Sequence, residues 1–478
     1  MIKSKQPFRK WGAMVLSTAM VFSLAACAGN SSDNGSTSAS SSPAAEATKV
    51  PKSDVTLTMW HWKIAFDPGF KAVADAFKEK TGITVETTAT TPDEAYFQKL
   101  TASAAAGNLP DIWAYHASPL GGAYDGKAVE WSEELEKDAA WKSGFLPAAL
   151  TGVTVSQANV EAYAKSDKSS DWIKAAKVGQ TYGLPLDVGA FYMVYGNKKL
   201  VENAGLDATA PKTMEEWLTM MSTVKEKTGT PGLVFSAKAA GVYSSWFVNF
   251  VDYMKNGPES FTKFMKRDEK LSDPKHIWSL EIIDDMAKKG LILPGSVTLD
   301  IDAADQAFAQ GKAAFSIGGT FTYATLKALG MNPDDIFSFR VPAYEGSVVA
   351  DATVTPFPLV QIVANNDSPH KQEAIEFVKF LTSEEGQVLY ANNAFDLPAV
   401  KIKDTSKLND SLKAMAESLS SESNWWSENP AIGQEVYKED WKVYHNNMVK
   451  VMLGEMTVED AAKDYDKAAE AFKANEAK

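Results

Sequence analysis

Val55-Thr56-Leu57-Thr58-Met59 alternates apolar and polar side chains, the two-residue period of a strand with one buried face. Asp67 then offers a helix N-cap and Pro68 suits the first helical position. Phe70, Val73, Ala74 and Phe77 recur at i, i+3, i+4 and i+7, which predicts one apolar helical face ended by Gly82. Ile83 to Thr87 reads as a second strand, Pro92 to Gly107 as a helix and Asp111 to Tyr115 as a third strand. Strand, helix, strand, helix, strand predicts a parallel sheet in an α/β lobe. The pattern returns later. Gly183-Leu184-Pro185-Leu186 leads into the apolar run Ala190 to Tyr195, and Thr213-Met214-Glu215-Glu216 is a capping box. Ala313 to Ile317 and Leu359 to Ala364 read as strands, and Thr320 to Leu329 as a helix. Ser368-Pro369 opens a helix through Leu381, Thr382 with Glu385 boxes the next, and Thr457 to Asp460 opens the last.

A chain of 478 residues exceeds one ordinary core, so two or three lobes are expected. The formal charge of -13 argues against nucleic acid, whose phosphates need a basic surface. Lys3, Lys5, Arg9 and Lys10 precede the apolar run Trp11 to Leu24, the pattern of an export signal over residues 1–26. Cys27 is the one cysteine, which excludes an internal disulfide. Leu24-Ala25-Ala26-Cys27 resembles the bacterial lipobox, and that resemblance implies lipidation of Cys27. Asn30 to Pro51 is rich in Ser, Ala, Gly and Thr, and residues 27–53 read as a flexible tether. No stretch after the leader is long and apolar enough to cross a membrane as a helix.

In α/β sheets ligands bind beyond the carboxyl ends of parallel strands. Trp60-His61-Trp62 and Lys63 follow the first strand there, and Tyr115-His116 follow the third. Asp187 and Phe191 lie where a further strand starts. Other motifs fit less. Gly121 to Lys127, GGAYDGK, nearly matches a phosphate loop, but Ala128 replaces the Ser or Thr and the segment reads as a turn. Asp300, Asp302 and Asp305 lack the turn glycine and distal glutamate of a calcium loop, and Asp302 is expected to cap the helix Ala303 to Gln310. Neither HExxH nor GxSxG occurs, so no catalytic residue, metal or cofactor is assigned. The aromatic content, 13 Trp, 15 Tyr and 23 Phe, exceeds what these motifs use. Trp60, Trp62, Tyr115, Trp246, Phe321, Phe395, Trp425 and Trp426 stand beside polar or glycine residues, with Asn424 before Trp425. Flat π faces beside hydroxyl-binding polar groups suit a sugar.

Several segments in order resemble the carbohydrate-binding, solute-binding family 1 proteins of ATP-driven importers, relatives of maltose-binding protein. They are Ala106-Gly107-Asn108-Leu109-Pro110-Asp111-Ile112, Tyr182-Gly183-Leu184-Pro185 with Tyr195-Gly196-Asn197-Lys198, Phe308 to Phe315, Gly318-Gly319-Thr320-Phe321, Ala374 to Leu381 and Gly454 to Ala461. The resemblance implies an α/β, two-lobed, periplasmic-binding-protein-like fold of type II with a ligand cleft between the lobes. It implies three hinge crossings, near Asp187 to Ala190, Val341 to Tyr344 and Phe395 to Val400. Lobe 1 is then 54–188 plus 344–396, and lobe 2 is 189–343 plus 397–478. It also implies that Gly319, Thr320 and Phe321 meet the sugar, with Phe321 where relatives usually carry Trp. The implied function is a monomeric, lipid-anchored binding protein on the outer face of the cytoplasmic membrane that hands an oligosaccharide to ABC permease subunits. A secreted glycoside-active enzyme and a surface glycan receptor without a transporter are the alternatives.

Overall fold

The first strand and helix form where the periodicity puts them. Thr56–His61 is β1, with Leu57, Met59 and His61 turned inward. Asp67–Thr81 is a helix burying Phe70, Val73, Ala74 and Phe77, and it stops where Gly82 turns left-handed at φ 81°. Asp67 is the first helical residue rather than its cap, because its carboxylate accepts a hydrogen bond from His61 Nε2 at 2.8 Å.

The computed structural model describes residues 54–417, 419, 424–425 and 438–476, all within the unit Val50–Lys478. The leader, Cys27, the tether and Trp426 lie outside the described residues. The remaining strands are β2 (Thr84–Ala89), β3 (Ile112–His116), β4 (Leu184–Pro185), β5 (Asp187–Gly189), β6 (Met193–Asn197) and β7 (Leu233–Val234). They continue with β8 (Phe315–Gly318), β9 (Ile336–Arg340), β10 (Phe357–Pro358), β11 (Val360–Ala364) and β12 (Leu397–Pro398). Three sheets result, with orders β2-β1-β3-β11-β4, β7-β8-β6-β9 and β10-β5-β12. In the first, β1 pairs parallel with β2 and β3 as expected, and β11 enters antiparallel.

Each large sheet has its own core. Leu57, Phe70, Trp113, Ile362 and Phe377 belong to the first. Trp217, Phe247, Phe315, Trp441 and Tyr465 belong to the second. The short third sheet is where the chain passes between them: β5 lies between β4 and β6, β10 between β9 and β11, and β12 follows the helix Glu384–Ala394. β10, at Phe357–Pro358, is thus the segment between the second sheet and β11, and Val341 to Tyr344 lies before it. Ala343, Ala352 and Val354 are buried in the second core, and Tyr344 and Val349 pack against it. Apolar area removed from water, about 25 cal/mol per Å², holds that loop to the second sheet.

Two buried polar clusters brace the second core. Arg267 and Asp440 form a two-point pair, Nε–Oδ2 2.8 Å and Nη2–Oδ1 2.7 Å, with side chains 5% and 1% exposed. His276 lies between Asp252 on Nδ1 (3.0 Å) and Glu269 on Nε2 (2.8 Å), and its ring stacks on Phe264 at 4.3 Å. Trp278 Nε1 also donates to Asp252. Burial alone lowers the His276 pKa. The hydrogen bonds and charges of Asp252 and Glu269 outweigh it, leaving the imidazole above its ordinary value.

A folded-state pKa above the unfolded value contributes stability that is complete below the unfolded value, 6.5, and is lost as pH rises through the folded one. Thermal unfolding of His276→Asn should therefore show a smaller fall in Tm than the wild type across that window; equal falls would contradict the bridging role. Asp440→Ala, which takes the carboxylate from the buried Arg267 guanidinium, should cost about 3–5 kcal/mol in denaturant unfolding.

Candidate functional site

The expected aromatic residues divide between two walls and two interiors. At the carboxyl ends of β1 and β3 the structure gathers Trp62, Tyr115 and His116 around Phe97. The His116 ring lies 4.9 Å from Trp62 and 4.8 Å from Phe97, and Tyr115 meets Phe97 edge-on at 5.0 Å. His116 is exposed and Tyr115 half-buried. Gly122 lets the Tyr115 ring sit flush, since a Cβ there would approach the ring to 2.8 Å. Trp60, half-buried on the other face of β1, carries the Lys99 ammonium 3.8 Å over its ring.

Two of the residues expected beyond the first strand, Trp62 and His61, are turned inward. Trp62 is 4% exposed and packs on Phe66, Tyr96 and Phe97, so it backs this wall instead of facing outward. His61 is fully buried against Phe66 and Phe70. Burial lowers its pKa, against the pull of Asp67. The two-residue strand period turns His61 to the core because Leu57 and Met59 already face there.

The second wall comes from the other large sheet. Phe191 and Trp246 stack at 4.4 Å and 5°, and Phe321 meets both edge-on at 6.3 and 5.9 Å. All three are half-buried. Phe357 of β10 closes the group, 5.4 Å from Phe191, and was not singled out from the sequence. Trp246 is delivered by a π-helical turn, Ser244–Val248, at the start of a long helix. Phe321 is delivered by the turn after β8. There Thr320 N–H donates to Ala190 O (2.9 Å), Ala190 N–H donates to Thr320 Oγ1 (3.3 Å), and Tyr195 Oη donates to Gly319 O (2.7 Å). Gly319 and Thr320 are buried and position Phe321. A Cβ on Gly319 would run into the Phe321 ring.

Lys63 joins the walls. It follows β1, and its ammonium sits 3.8 Å over the Phe321 ring. Its charge also reaches His116 of the first wall and the carboxyls of Asp187, Asp302, Asp305 and Asp396. Asp187 is 1% exposed, with Oδ1 accepting the Val360 N–H at 2.8 Å. Asp396, unremarked in the sequence, is fully buried beside it. Burial pushes Asp305 up to about 7, with Lys63 opposing and Asp302 adding. The cap of the helix Ile301–Ala309 is Asp300, not Asp302, through the Ala303 N–H at 2.9 Å. Burial raises the pKa of Asp302 instead, with the Lys63 charge opposing.

Three expected residues lie elsewhere. Trp425 is 3% exposed, boxed by Tyr192, Phe250, Tyr253 and Phe261, and its Nε1 donates to Tyr192 Oη at 2.8 Å. It is a core residue; an indole this large is drawn to whatever apolar cavity is open to it. Asn424, exposed, ties that segment to the Asp351–Thr353 loop, its Oδ1 accepting the Thr353 N–H at 2.9 Å. Phe395 is left-handed at φ 57° before β12, near Tyr323 and under the Lys327 ammonium at 3.2 Å, apart from the Phe191 group. The GGAYDGK segment is a turn whose Lys127 pairs with Asp367 at 2.7 Å.

A core Trp425 and a wall Trp246 should respond differently. Trp425→Ala should destabilise by about 3–5 kcal/mol in denaturant unfolding. Trp246→Ala, at a half-buried site, should cost less than half as much, and equal losses would remove the distinction.

Comparison with known proteins agrees with this architecture. The family model described as bacterial extracellular solute-binding protein matches residues 64–388. A solved structure from work on xylan utilisation by Caldanaerobius polysaccharolyticus superposes with TM-score 0.64 and 20% identity, covering 86% of this chain and 99% of that one. Maltose-bound MalE3 of T. maritima superposes with TM-score 0.60 and 19% identity, covering 87% and 99%. At such identities these likenesses establish the two-lobed fold. The xylose/arabinose-binding protein XacG of Haloferax volcanii is 22% identical over 235 residues, 47% of each chain, so the chain spans about half the length of this curated relative. The match of the family model over more than half of the 478 residues settles the family: this chain belongs to the bacterial extracellular solute-binding proteins.

Proposed function

We propose that the protein captures an oligosaccharide between its two lobes and delivers it, unaltered, to the permease of an ABC importer. The observation that carries this reading is the two aromatic groups with Lys63 between them. Phe191, Trp246 and Phe321 offer π faces from the second sheet and the helix beside it, Tyr115 and His116 flank from the first sheet, and Lys63 lies between them. Sugar C–H faces stack on such rings while hydroxyls bond to flanking polar groups. Relatives whose names specify xylose/arabinose and maltose support a sugar over other solutes.

The lobes are 54–188 with 359–396, and 189–356 with 397–478, the chain passing between them at β5, β10 and β12. A sugar that touches both walls binds the closed arrangement better than the open one, so it shifts the population toward closure. Lys63 is central, since its ammonium now rests on the ring face that a sugar would occupy. Binding would turn it outward to a hydroxyl. Lipidation at Cys27 and the tether would keep the protein at the outer membrane face within reach of the permease.

Calorimetry against xylo-, arabino-, malto- and gluco-oligosaccharides should find a binding partner, with chromatography showing no new product. Phe321→Ala and Trp246→Ala should each weaken it at least about tenfold, equivalent to ~1.4 kcal/mol, whereas Trp425→Tyr should change affinity far less. Unaltered affinity in the wall variants, or cleavage of the sugar, would overturn the reading.

A further inference from the structure

The sheet β10-β5-β12 contains two acids with nothing charged between them. Asp187 opens β5 and Asp396 immediately precedes β12, and both are at most 1% exposed. Each spends Oδ1 on a backbone N–H, Asp187 on Val360 (2.8 Å) and Asp396 on Leu397 (3.2 Å). The Oδ2 atom of each is buried and receives no donor. Asp396 stands two residues before Pro398, the register partner of Asp187, so the two carboxyls are diagonal neighbours on one face of the paired strands and each acts on the other's ionisation. Two carboxylates cannot both stay charged at such a distance away from water, and one proton placed between them supplies the missing donor. The strand pairing makes that bond matter. Val188 faces Leu397 in register and Asp187 faces Pro398, which has no N–H to offer the ladder.

We propose that Asp187 and Asp396 share a single proton, and that this proton fastens β5 to β12 and so makes the passage between the lobes, and closure on a solute, sensitive to pH. The closure part rests on the solute-capture reading; the proton and its effect on the strands do not. Burial, with Asp396 next in weight, holds the Asp187 carboxyl well above its usual range, and burial raises Asp396 as well. The groups around the pair are few. Lys63 is the cation whose charge reaches both. Tyr390 and Tyr195 present hydroxyls pushed well above their ordinary acidity by burial, with Asp396 adding to both shifts and Asp187 also to that of Tyr390. Lys327 lies against the neighbouring Phe395. Losing the proton therefore leaves two like charges with one nearby cation to share, in the strands that must bend when the lobes move.

Asp187→Asn keeps an oxygen for Val360 N–H and supplies a permanent donor to Asp396, so it imitates the protonated pair. Infrared spectra of the ligand-free wild type at neutral pH should show the C=O band of a buried protonated carboxyl. Asp305, which burial pushes up to about 7, contributes its own band in both proteins; the part in excess of it should disappear as the pH is raised and be absent from Asp187→Asn. Hydrogen exchange of peptides spanning 184–190 and 395–400, corrected for the intrinsic rate, should accelerate at least about tenfold between about pH 6 and about pH 9 in the wild type and not in the variant. Asp396→Asn serves as a second variant with the same expectation, and the wild-type band requires no variant at all. Absence of that band, or equal acceleration in the variants, overturns the proposal. With a sugar found, its affinity should fall about tenfold over the same range in the wild type alone. An invariant affinity would overturn the coupling to closure. Failure to find any sugar would count against the capture reading and leave the infrared and exchange results to judge the proton.

Discussion

Three strands of two or three residues carry the chain between two separately cored sheets, and the shortness of those passages constrains everything near them. A two-residue strand such as β12 or β10 offers few ladder hydrogen bonds. Two of the three strands bring a proline into the pairing, Pro358 and Pro398, which removes donors from a ladder already small. Side chains must then supply part of the order. Asp187 does so toward β11 through Val360, and Thr320 does so by clasping Ala190 just past β5. A passage held by few bonds is also the one that yields when two lobes move, while the cores on either side stay packed.

The same constraint determines what the walls are made of. Phe191 leads into β6 and Phe321 follows β8, so two rings from distant sequence positions meet because β6 and β8 pair in one sheet. Trp246 reaches them from a helix, with a π-turn supplying the extra rotation. Phe357 arrives from the middle passage itself. The wall is thus assembled at the root of the passages.

Electrostatics adds a second theme. Lys63 is the cation common to a set of carboxyls, Asp187, Asp302, Asp305 and Asp396, whose affinity for protons burial has raised. A lone ammonium amid partly neutralised acids avoids the full cost of burying several charges at once. It also leaves Lys63 free to rest on an aromatic face rather than in one fixed ion pair.

Local patterning determined the alternation of β1, the apolar face of Asp67–Thr81, its glycine stop and the α/β class, because these depend on neighbours within a turn or a strand. It also placed Tyr115, His116, Phe191, Trp246 and Phe321 near strand ends or turns, where two walls now stand. It could not separate Trp246, a wall residue, from Trp425, a core residue, since both are indoles beside polar neighbours. Which one is covered depends on Tyr192, Phe250, Tyr253 and Phe261 closing from remote segments. Nor could it see Asp396 come to lie beside Asp187, or the loop 344–354 fold onto the second sheet. Those outcomes belong to tertiary structure for one physical reason: burial and the partners of a charge are properties of the packed chain, and no window of sequence contains them.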